Sequence, residues 1–277
     1  MCEKYFTLSD DTVIPVIDPQ KGSKQGRLWV YLHSGTDGPA AVVFDYTPDR
    51  KQEGPLSFLE TYKGYLQADG YPGYEHLYRS GTVQEVACWA HVRAKFEKLE
   101  KRTQSRIAQQ ALALIGKLYQ IESQWKGQAH TLQLHTHRRQ LRQEQALPVL
   151  AQIKTLLGDS LQKVAANSDA ATPINYALQR WQALTRYCED GRLNIDNNPA
   201  ERCIRPITIG RKNWIFAGTD LAGHRAAVIY SLIETCKLNK VDPYAYFKDV
   251  LGRIADHPNK DIDALLPFNW KPVQSEE

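Results

Sequence analysis

Three strand-like runs in the first 48 residues are joined by short connections, and this limits what the chain can fold into. YFTLSDDTVIPVI spans Tyr5–Ile17, RLWVYLH spans Arg27–His33 and AAVVFDYTP spans Ala40–Pro48. A parallel pair needs a crossover of a dozen or more residues, so the spacing predicts an antiparallel meander. Period-two counting on the first run puts Phe6, Leu8, Asp10, Thr12, Ile14 and Val16 on one face. Asp10 therefore stands among apolar neighbours, where an unpaired carboxylate is costly, while Asp11 faces the other way beside Ser9.

Further on, PLSFLETYKG at Pro55–Gly64 reads as a short helix closed by glycine, and YLQADGY as an apolar strand ending in Asp69. Asp69 then lies at a strand's C-terminal end, where open α/β sheets place ligands, although Asp-Gly is also an ordinary turn pair. YPGYEHLYRSG gives another short helix, VQEVACWA a fifth strand, and HVRAKFEKLEKR a basic helix. The order β-β-β-α-β-α-β-α matches a ribonuclease-H-like mixed sheet of the α/β class.

From about residue 104 the period changes. Ile107, Ala111, Leu114, Leu118, Ile121 and Trp125 recur at four and three, the seam of a packed helix. A second helical stretch carries Leu132, Leu141, Leu147, Leu150, Ile153, Leu157 and Leu161, with a kink expected near Pro148. A third starts with Thr172 as cap and Pro173 at the first helical position, and runs to Gly191. The expected organisation is a core over 1–103, an all-helical insertion over 104–191, the core resumed over 192–256, and a tail over 257–277. After Phe216 an amphipathic helix follows, and Asp242-Pro243 caps another through Ile254. The run HTHRRQLR at His135–Arg142 is expected to be an exposed helix face that could steer DNA, and Trp125 and Trp181 to be packing residues.

The five cysteines are odd in number and scattered, which excludes a disulfide framework and fits a cytoplasmic protein. The first residues, MCEKYFTLSDD, lack a signal peptide's apolar core, and no apolar run approaches the ~18 residues of a membrane span. A net charge of +4 permits a polyanion partner, with local clustering mattering more than the total.

Such a cluster lies in NIDNNPAERCIRPITIGRKNWIF, Asn194–Phe216. Asp196-Asn197-Asn198 reads as a polar turn and Pro199 as the first helical position. Glu201 comes one turn in, with Arg202, Arg205, Arg211 and Lys212 close behind. Asn198 with Glu201 is also a capping box, which needs no function. In a ribonuclease-H-like sheet the first and fourth strands are neighbours, so Asp10 and Asp69 would converge and Glu201 would approach from its helix. Three such carboxylates repel unless they share cations, and oxygen ligands favour magnesium or manganese.

The chain resembles the catalytic domain of bacterial insertion-sequence transposases of the family numbered sixty-six, which belong to the DDE group. The resemblance is carried by SDDTVIPVIDPQKG at Ser9–Gly22, GRLWVY at Gly26–Tyr31, YTPDRK at Tyr46–Lys51 and LQADGYPGY at Leu66–Tyr74. It continues in CWAHVRAKF at Cys88–Phe96, DNNPAERCIRPITIGRKNWIFAG at Asp196–Gly218, IYSLIETCKLN at Ile229–Asn239 and LLPFNW at Leu265–Trp270. It implies that Asp10, Asp69 and Glu201 are a catalytic triad holding two Mg2+ or Mn2+ ions. Asp10 is chosen over Asp11 because the first acid of the family's acidic pair is the catalytic one. It implies DNA partners (transposon ends and target), a homo-oligomer in the active complex, and accessory proteins of the element.

Cys88-x-x-His91 lacks the second pair of a zinc site; the resemblance makes it a motif that braces the active site or contacts DNA through His91. Arg202, Arg205, Arg211, Lys212 and Asn213 are the remaining phosphate-contact candidates, with a solvated basic face as the plain alternative. Family members carry upstream DNA-end-binding and multimerisation segments, whereas this sequence opens almost directly on a strand-like run. Two other readings follow: a truncated, non-catalytic remnant that binds DNA or partner subunits, and a stand-alone structure-selective nuclease.

Overall fold

A computed structural model describes residues 5–272 except 19, 21, 36–37, 126, 129–130 and 215. The first four residues, Cys2 among them, and two residues of the first hairpin turn therefore lie outside the described residues. The fold is mixed α/β, with a five-stranded sheet in the order β3-β2-β1-β4-β5. β1 (Tyr5–Asp18), β2 (Gly22–His33) and β3 (Ala41–Thr47) form the expected meander. β1 pairs antiparallel with β2 from Leu8↔Leu32 to Asp18↔Gly22, and β2 with β3 from Arg27↔Thr47 to His33↔Ala41. On β1 Phe6, Leu8, Thr12, Ile14 and Val16 are buried as the period-two reading expects, but Asp10 on that face is half-buried and Ser9 on the other face is fully buried. A short α1 (Glu53–Phe58) follows β3.

Two compact units divide the chain, Met1–Phe6 with Thr61–Asn198, and Thr7–Glu60 with Pro199–Glu277. The first unit holds β4 (Gly64–Ala68), α2 (Glu75–Arg79), β5 (Val83–Ala87) and α3 (Trp89–Thr103), with β4 and β5 parallel. β4 is buried along its whole length, as expected for an inner strand of a sheet with covered faces.

The helices after residue 104 pack in this same unit. α4 (Arg106–Glu122) buries Ala108, Ala111, Ile115 and Leu118, a seam continued by Ile121 and Trp125, so Ile107 and Leu114 flank it rather than centre it. α5 (Leu132–Leu141) runs through a wide π-helical turn, Arg142–Ala146, into α6 (Leu147–Leu161). The wide turn lies just ahead of Pro148, where a regular helix would bring the proline ring against a carbonyl. The buried face is not the expected leucine row. Leu132 is exposed, and His135, Arg138 and Arg142 take the inward positions ahead of Leu150, Ile153 and Leu157. The expected exposed face at His135–Arg142 is thus corrected at these three residues.

The third helical stretch is also corrected. α7 (Ala171–Gln179) starts before Thr172, and the N–H of Ala171 donates to Ser168 Oγ. The helix breaks at Arg180, and α8 (Trp181–Thr185) follows.

In the second unit, α9 (Asn198–Gly210) begins at its boundary, α10 (Asp220–Leu238) lies along β3, and α11 (Pro243–Arg253) is capped by Asp242 as expected. β3 is an edge strand, and unpaired edges invite non-native pairing. Here side chains spaced four apart on α10 and its end occupy the edge. The Phe44 N–H donates to Ser231 Oγ, the Val42 N–H donates to Thr235 Oγ1, and Thr235 Oγ1 and Asn239 Nδ2 donate to the carbonyls of Val42 and Ala40. A close approach sits nearby: a Cβ on either Gly26 or Gly223 would lie 2.6 Å from the Tyr46 ring. The Tyr46 hydroxyl donates to Asp220 at 2.5 Å, and Lys24 pairs with the same carboxylate at 2.7 Å. A small satellite core of Cys236, Tyr246, Val250 and Leu265, covered by Trp270, anchors the C-terminal part.

Candidate functional site

In the first unit, β4 and β5 end level, with Ala68 opposite Ala87. Asp69 and Cys88 therefore emerge together at the C-terminal edge of the parallel pair, the edge that serves ligands in α/β sheets. The Asp69 carboxylate accepts the Tyr71 N–H at 3.1 Å, which fixes its orientation. Gly70 turns the chain at φ +87°, and a Cβ there would meet Arg180 Nε at 3.1 Å and the Tyr176 hydroxyl at 3.3 Å. Only glycine serves both demands. Tyr176 donates to the Asp69 carbonyl at 3.2 Å, and its ring carries Lys95 Nζ at 4.3 Å and Arg180 Cζ at 4.7 Å from the centroid. Burial pushes the Tyr176 phenol up, so it stays a donor.

Across the same edge runs the segment that leads into α9, and donors or acceptors from several elements hold it. Arg138 and Arg142 donate to the Leu193 carbonyl at 3.1 and 2.9 Å. Gln67, two residues before Asp69 on β4, donates to the Asn194 carbonyl at 2.8 Å, and the Trp89 N–H at the start of α3 donates to the Ile195 carbonyl at 3.1 Å. The Asn197 N–H donates to Cys88 Sγ at 3.2 Å. Burial pushes the Cys88 thiol up to about 12, against the backbone N–H groups of Asn197 and His91 that lower it, so it is a protonated, structural thiol at neutral pH. Asp196 is buried and accepts both the N–H and the side-chain amide of Asn198, at 3.1 and 2.8 Å.

This corrects the expected capping box. Asn198 is itself the first helical residue, and its amide serves Asp196. His91 stands one turn into α3, its Nδ1 buried and without a hydrogen-bond partner among the described residues.

Behind the segment is a buried ionic node. Arg142 is fully buried and meets Glu122 in a two-pronged pair at 2.8 and 2.7 Å, while also donating to the carbonyls of Tyr187 and Asp190. Burial, then the neighbouring Arg142, pushes Arg138 down to about 10, still charged at neutral pH. The Trp125 ring lies 5.6 Å from both guanidinium carbons. Trp125 is thus a packing residue, as expected, but its neighbours are cations. Trp181 packs edge-on to Trp89 at 6.0 Å.

In the second unit, Asp10 and Asp11 have different employments. The Asp11 carboxylate, only 3% exposed, pairs with Arg27 at 2.9 Å and with Arg50 at 2.7 Å. Asp10 lies on the buried face of β1 and accepts the Asp11 N–H at 2.7 Å. α9 buries Ala200, Cys203, Ile204 and Ile207, the spacing of an amphipathic helix, with Glu201 half-buried at the margin. Among the described residues Glu201 has no hydrogen bond or ion pair. Arg202, Arg205 and Lys212 are exposed, whereas Arg211 donates to the Val13 carbonyl of β1. Ala217 then joins β1 beside Val16, with its N–H on the Pro15 carbonyl at 2.8 Å.

Of the residues singled out in the sequence, Asp69 and His91 belong to the first unit, and Asp10, Glu201, Arg202, Arg205, Arg211 and Lys212 to the second. The residues that sequence reading missed are Gln67, Tyr176, Arg180 and the Glu122–Arg142 pair. The one available signal was His135, Arg138 and Arg142 recurring at three and four, a helical face made of cations.

A sequence model described as "Transposase IS66 family" matches residues 1–225, and one described as "IS66 C-terminal element" matches residues 231–268. The chain is 36% identical over 283 residues to the uncharacterized protein y4hP of Sinorhizobium fredii, covering 95% of this chain and 50% of that protein. It is 35% identical to y4qI of the same organism, covering 98% and 51%, and 34% identical to y4jD, covering 96% and 54%. The chain thus spans about half the length of these relatives. No solved structure matches it.

Proposed function

The chain belongs to the IS66 transposase family, and we propose that it carries the DNA-cleaving and strand-transferring centre of such a transposase on a ribonuclease-H-like core. In this reading water attacks a phosphodiester at the element end, and the freed 3′-hydroxyl then attacks target DNA. The observation that carries it is the hydrogen-bonded segment 193–198 of the first unit, whose Asn194 carbonyl accepts from Gln67 on β4, two residues before Asp69, and whose Asn197 N–H donates to Cys88 Sγ. A turn formed only to cap a helix has no need of donors from β4, α3 and α5.

Asp10, Asp69 and Glu201 are the proposed carboxylates. The donor set fits a hard divalent cation: all its atoms are carboxylate oxygens, and Asp10 and Asp69 are oriented by backbone N–H groups. Bound Mg2+ or Mn2+ would supply an activated water and charge stabilisation at the leaving oxygen. The chain's own part is positioning and electrostatics. Arg202, Arg205 and Lys212, exposed on and after α9, attract the DNA backbone, and His91 is a further candidate for a phosphate contact. Arg211 differs, since it also braces β1. The active complex is expected to be a homo-oligomer served by accessory proteins of the element. The described helices include none long and apolar enough to cross a membrane.

The test pairs two neighbours. With Mn2+ and supercoiled DNA carrying element ends, Asp10→Asn should abolish nicking without moving the melting temperature. Asp11→Asn should lower the melting temperature, because Arg27 and Arg50 lose their partner, while keeping metal-dependent nicking below that temperature. Full nicking by Asp10→Asn, Asp69→Asn or Glu201→Gln would refute the triad. DNA binding by wild type without any nicking would favour the non-catalytic reading.

A further inference from the structure

Beside Asp69 lies a cleft that the reaction just described leaves unused. It has a volume of ≈ 400 Å³; Gly70, Tyr71, Tyr78, Glu85, Gln179 and Arg180 line it, together with the Glu75–Arg79 ion pair. A second hollow of ≈ 350 Å³ shares Tyr78, Glu85, Gln179 and Arg180 and extends to Arg186. All of these residues belong to the first unit. The cleft exists because the third helical stretch breaks at Arg180, which swings that side chain toward Gly70 and Glu85.

Glu85 is the unexplained group. It sits on β5 with its side chain only 25% exposed, yet its nearest cation, Arg180 Nε, is 4.0 Å away. Among the described residues no donor is within hydrogen-bond distance of its carboxylate. Burial pushes its pKa up, opposed by Arg180 and Arg186. A largely buried carboxylate without a protein donor, facing a cleft, has room for donors from a ligand. The Tyr78 phenol beside it is held protonated by burial, with Glu85 and Asp69 adding to the effect, so a donor and an acceptor face the same space. Tyr71, packed edge-on to Tyr74, adds an aromatic ring to the lining, and Arg180 and Arg186 supply positive charge.

An aromatic ring, a carboxylate wanting paired donors, a side-chain amide and cations are the parts that hold an unstacked nucleotide. Guanine presents two adjacent donors on its Watson–Crick edge, N1–H and the 2-amino group, which match one carboxylate. We infer that this cleft binds a single unstacked guanine nucleotide of the DNA strand that passes Asp69, with Glu85 reading the base edge and Tyr71 stacking on it. The inference rests on Asp69 standing at the DNA-cleavage site.

Fluorescence anisotropy of the full chain in EDTA, with 5′-fluorescein-labelled single strands, tests it. The probes are an all-thymine tetramer and the same tetramer with one central guanine. Wild type should bind the guanine probe about tenfold more tightly, the discrimination expected of one good bidentate contact. Glu85→Gln, isosteric and without a hydrogen bond to lose, should remove the preference while keeping affinity for the thymine probe and an unchanged melting temperature. Tyr71→Leu should weaken both probes. Equal binding of the two probes by wild type, binding of neither, or a preference unaltered in Glu85→Gln would overturn the inference. Because EDTA prevents cleavage, the two readings fail separately. Guanine preference in a chain that never nicks DNA would sink the catalytic reading alone, and nicking without guanine preference would sink the cleft alone.

Discussion

Arg142→Ala is the sharpest test of how the helical region supports the site. The substitution removes a fully buried guanidinium, and with it both prongs of the Glu122 pair and the donors to the carbonyls of Tyr187, Asp190 and Leu193. Glu122, largely buried, is left with Arg138, whose nitrogen is 3.8 Å away. Breaking a buried pair by removing one partner costs ~3–5 kcal/mol, mostly from the charge left behind. Taking about 4 kcal/mol, and roughly 2–4 °C per kcal/mol for a chain of this size, the melting temperature should fall by roughly 8–16 °C. Arg142→Lys should recover only part of this, since one ammonium cannot serve a bidentate carboxylate and three carbonyls together. Glu122→Gln combined with Arg142→Met should cost less than Arg142→Ala alone, because no buried carboxylate is left behind and Arg138, freed of its cationic neighbour, keeps the Leu193 carbonyl. Differential scanning calorimetry of wild type and the three variants, with hydrogen exchange at Asn194–Asn198, reads both the global and the local effect. A shift below about 2 °C for Arg142→Ala, or a double variant at least as costly as Arg142→Ala, would refute the argument.

Two further outcomes follow from the same structure. Thr235→Val should leave the N–H and carbonyl of Val42 on the sheet edge without their side-chain partner, costing ~1–3 kcal/mol and raising hydrogen exchange at Val42 specifically; unchanged exchange there would refute the edge-sealing role. Burial pushes all four described cysteines up, Cys88 to about 12 and Cys188, Cys203 and Cys236 to about 11. Raised thiol values mean that the unfolded chain deprotonates first. Their contribution to stability is whole below ~8.5, the value of a free thiol, and is lost as pH rises through 11–12. Melting temperatures measured from about pH 7 to 10.5 should fall at the alkaline end, less steeply in Cys88→Ala, and parallel curves would contradict the assignment.

What could be read from the sequence was whatever a short-range period encodes. Alternation on Tyr5–Ile17 separates Asp10 from Asp11 by face but not by depth: the Asp11 side chain is itself buried, paired with Arg27 and Arg50 from two other segments. The three-and-four spacing located α4 but put Leu114 on its seam, because spacing alone cannot rank adjacent apolar residues by depth. Where partners lie far apart in sequence the reading failed. The carbonyls that make Arg142 a core residue come from 45 to 51 residues downstream, and a guanidinium without visible acceptors reads as solvated. Asn198 looked like a cap because the competing acceptor, Asp196, stands only two residues before it and was assigned to the turn. Arg180 looked like one more residue of a helix because no glycine or proline marks the break.

The contacts missed in the sequence share a direction. Tyr176, Arg138 and Arg142 all lie in the stretch read as an insertion, yet their acceptors are the Asp69 carbonyl and the carbonyls leading to α9. Those helices group in one compact unit with β4 and β5. A segment that supplies hydrogen bonds both to Asp69 and to the strand of chain entering α9 cannot be trimmed without loosening the site. Deleting the helices should therefore cost the order of Asn194–Asn198 as well as their own packing.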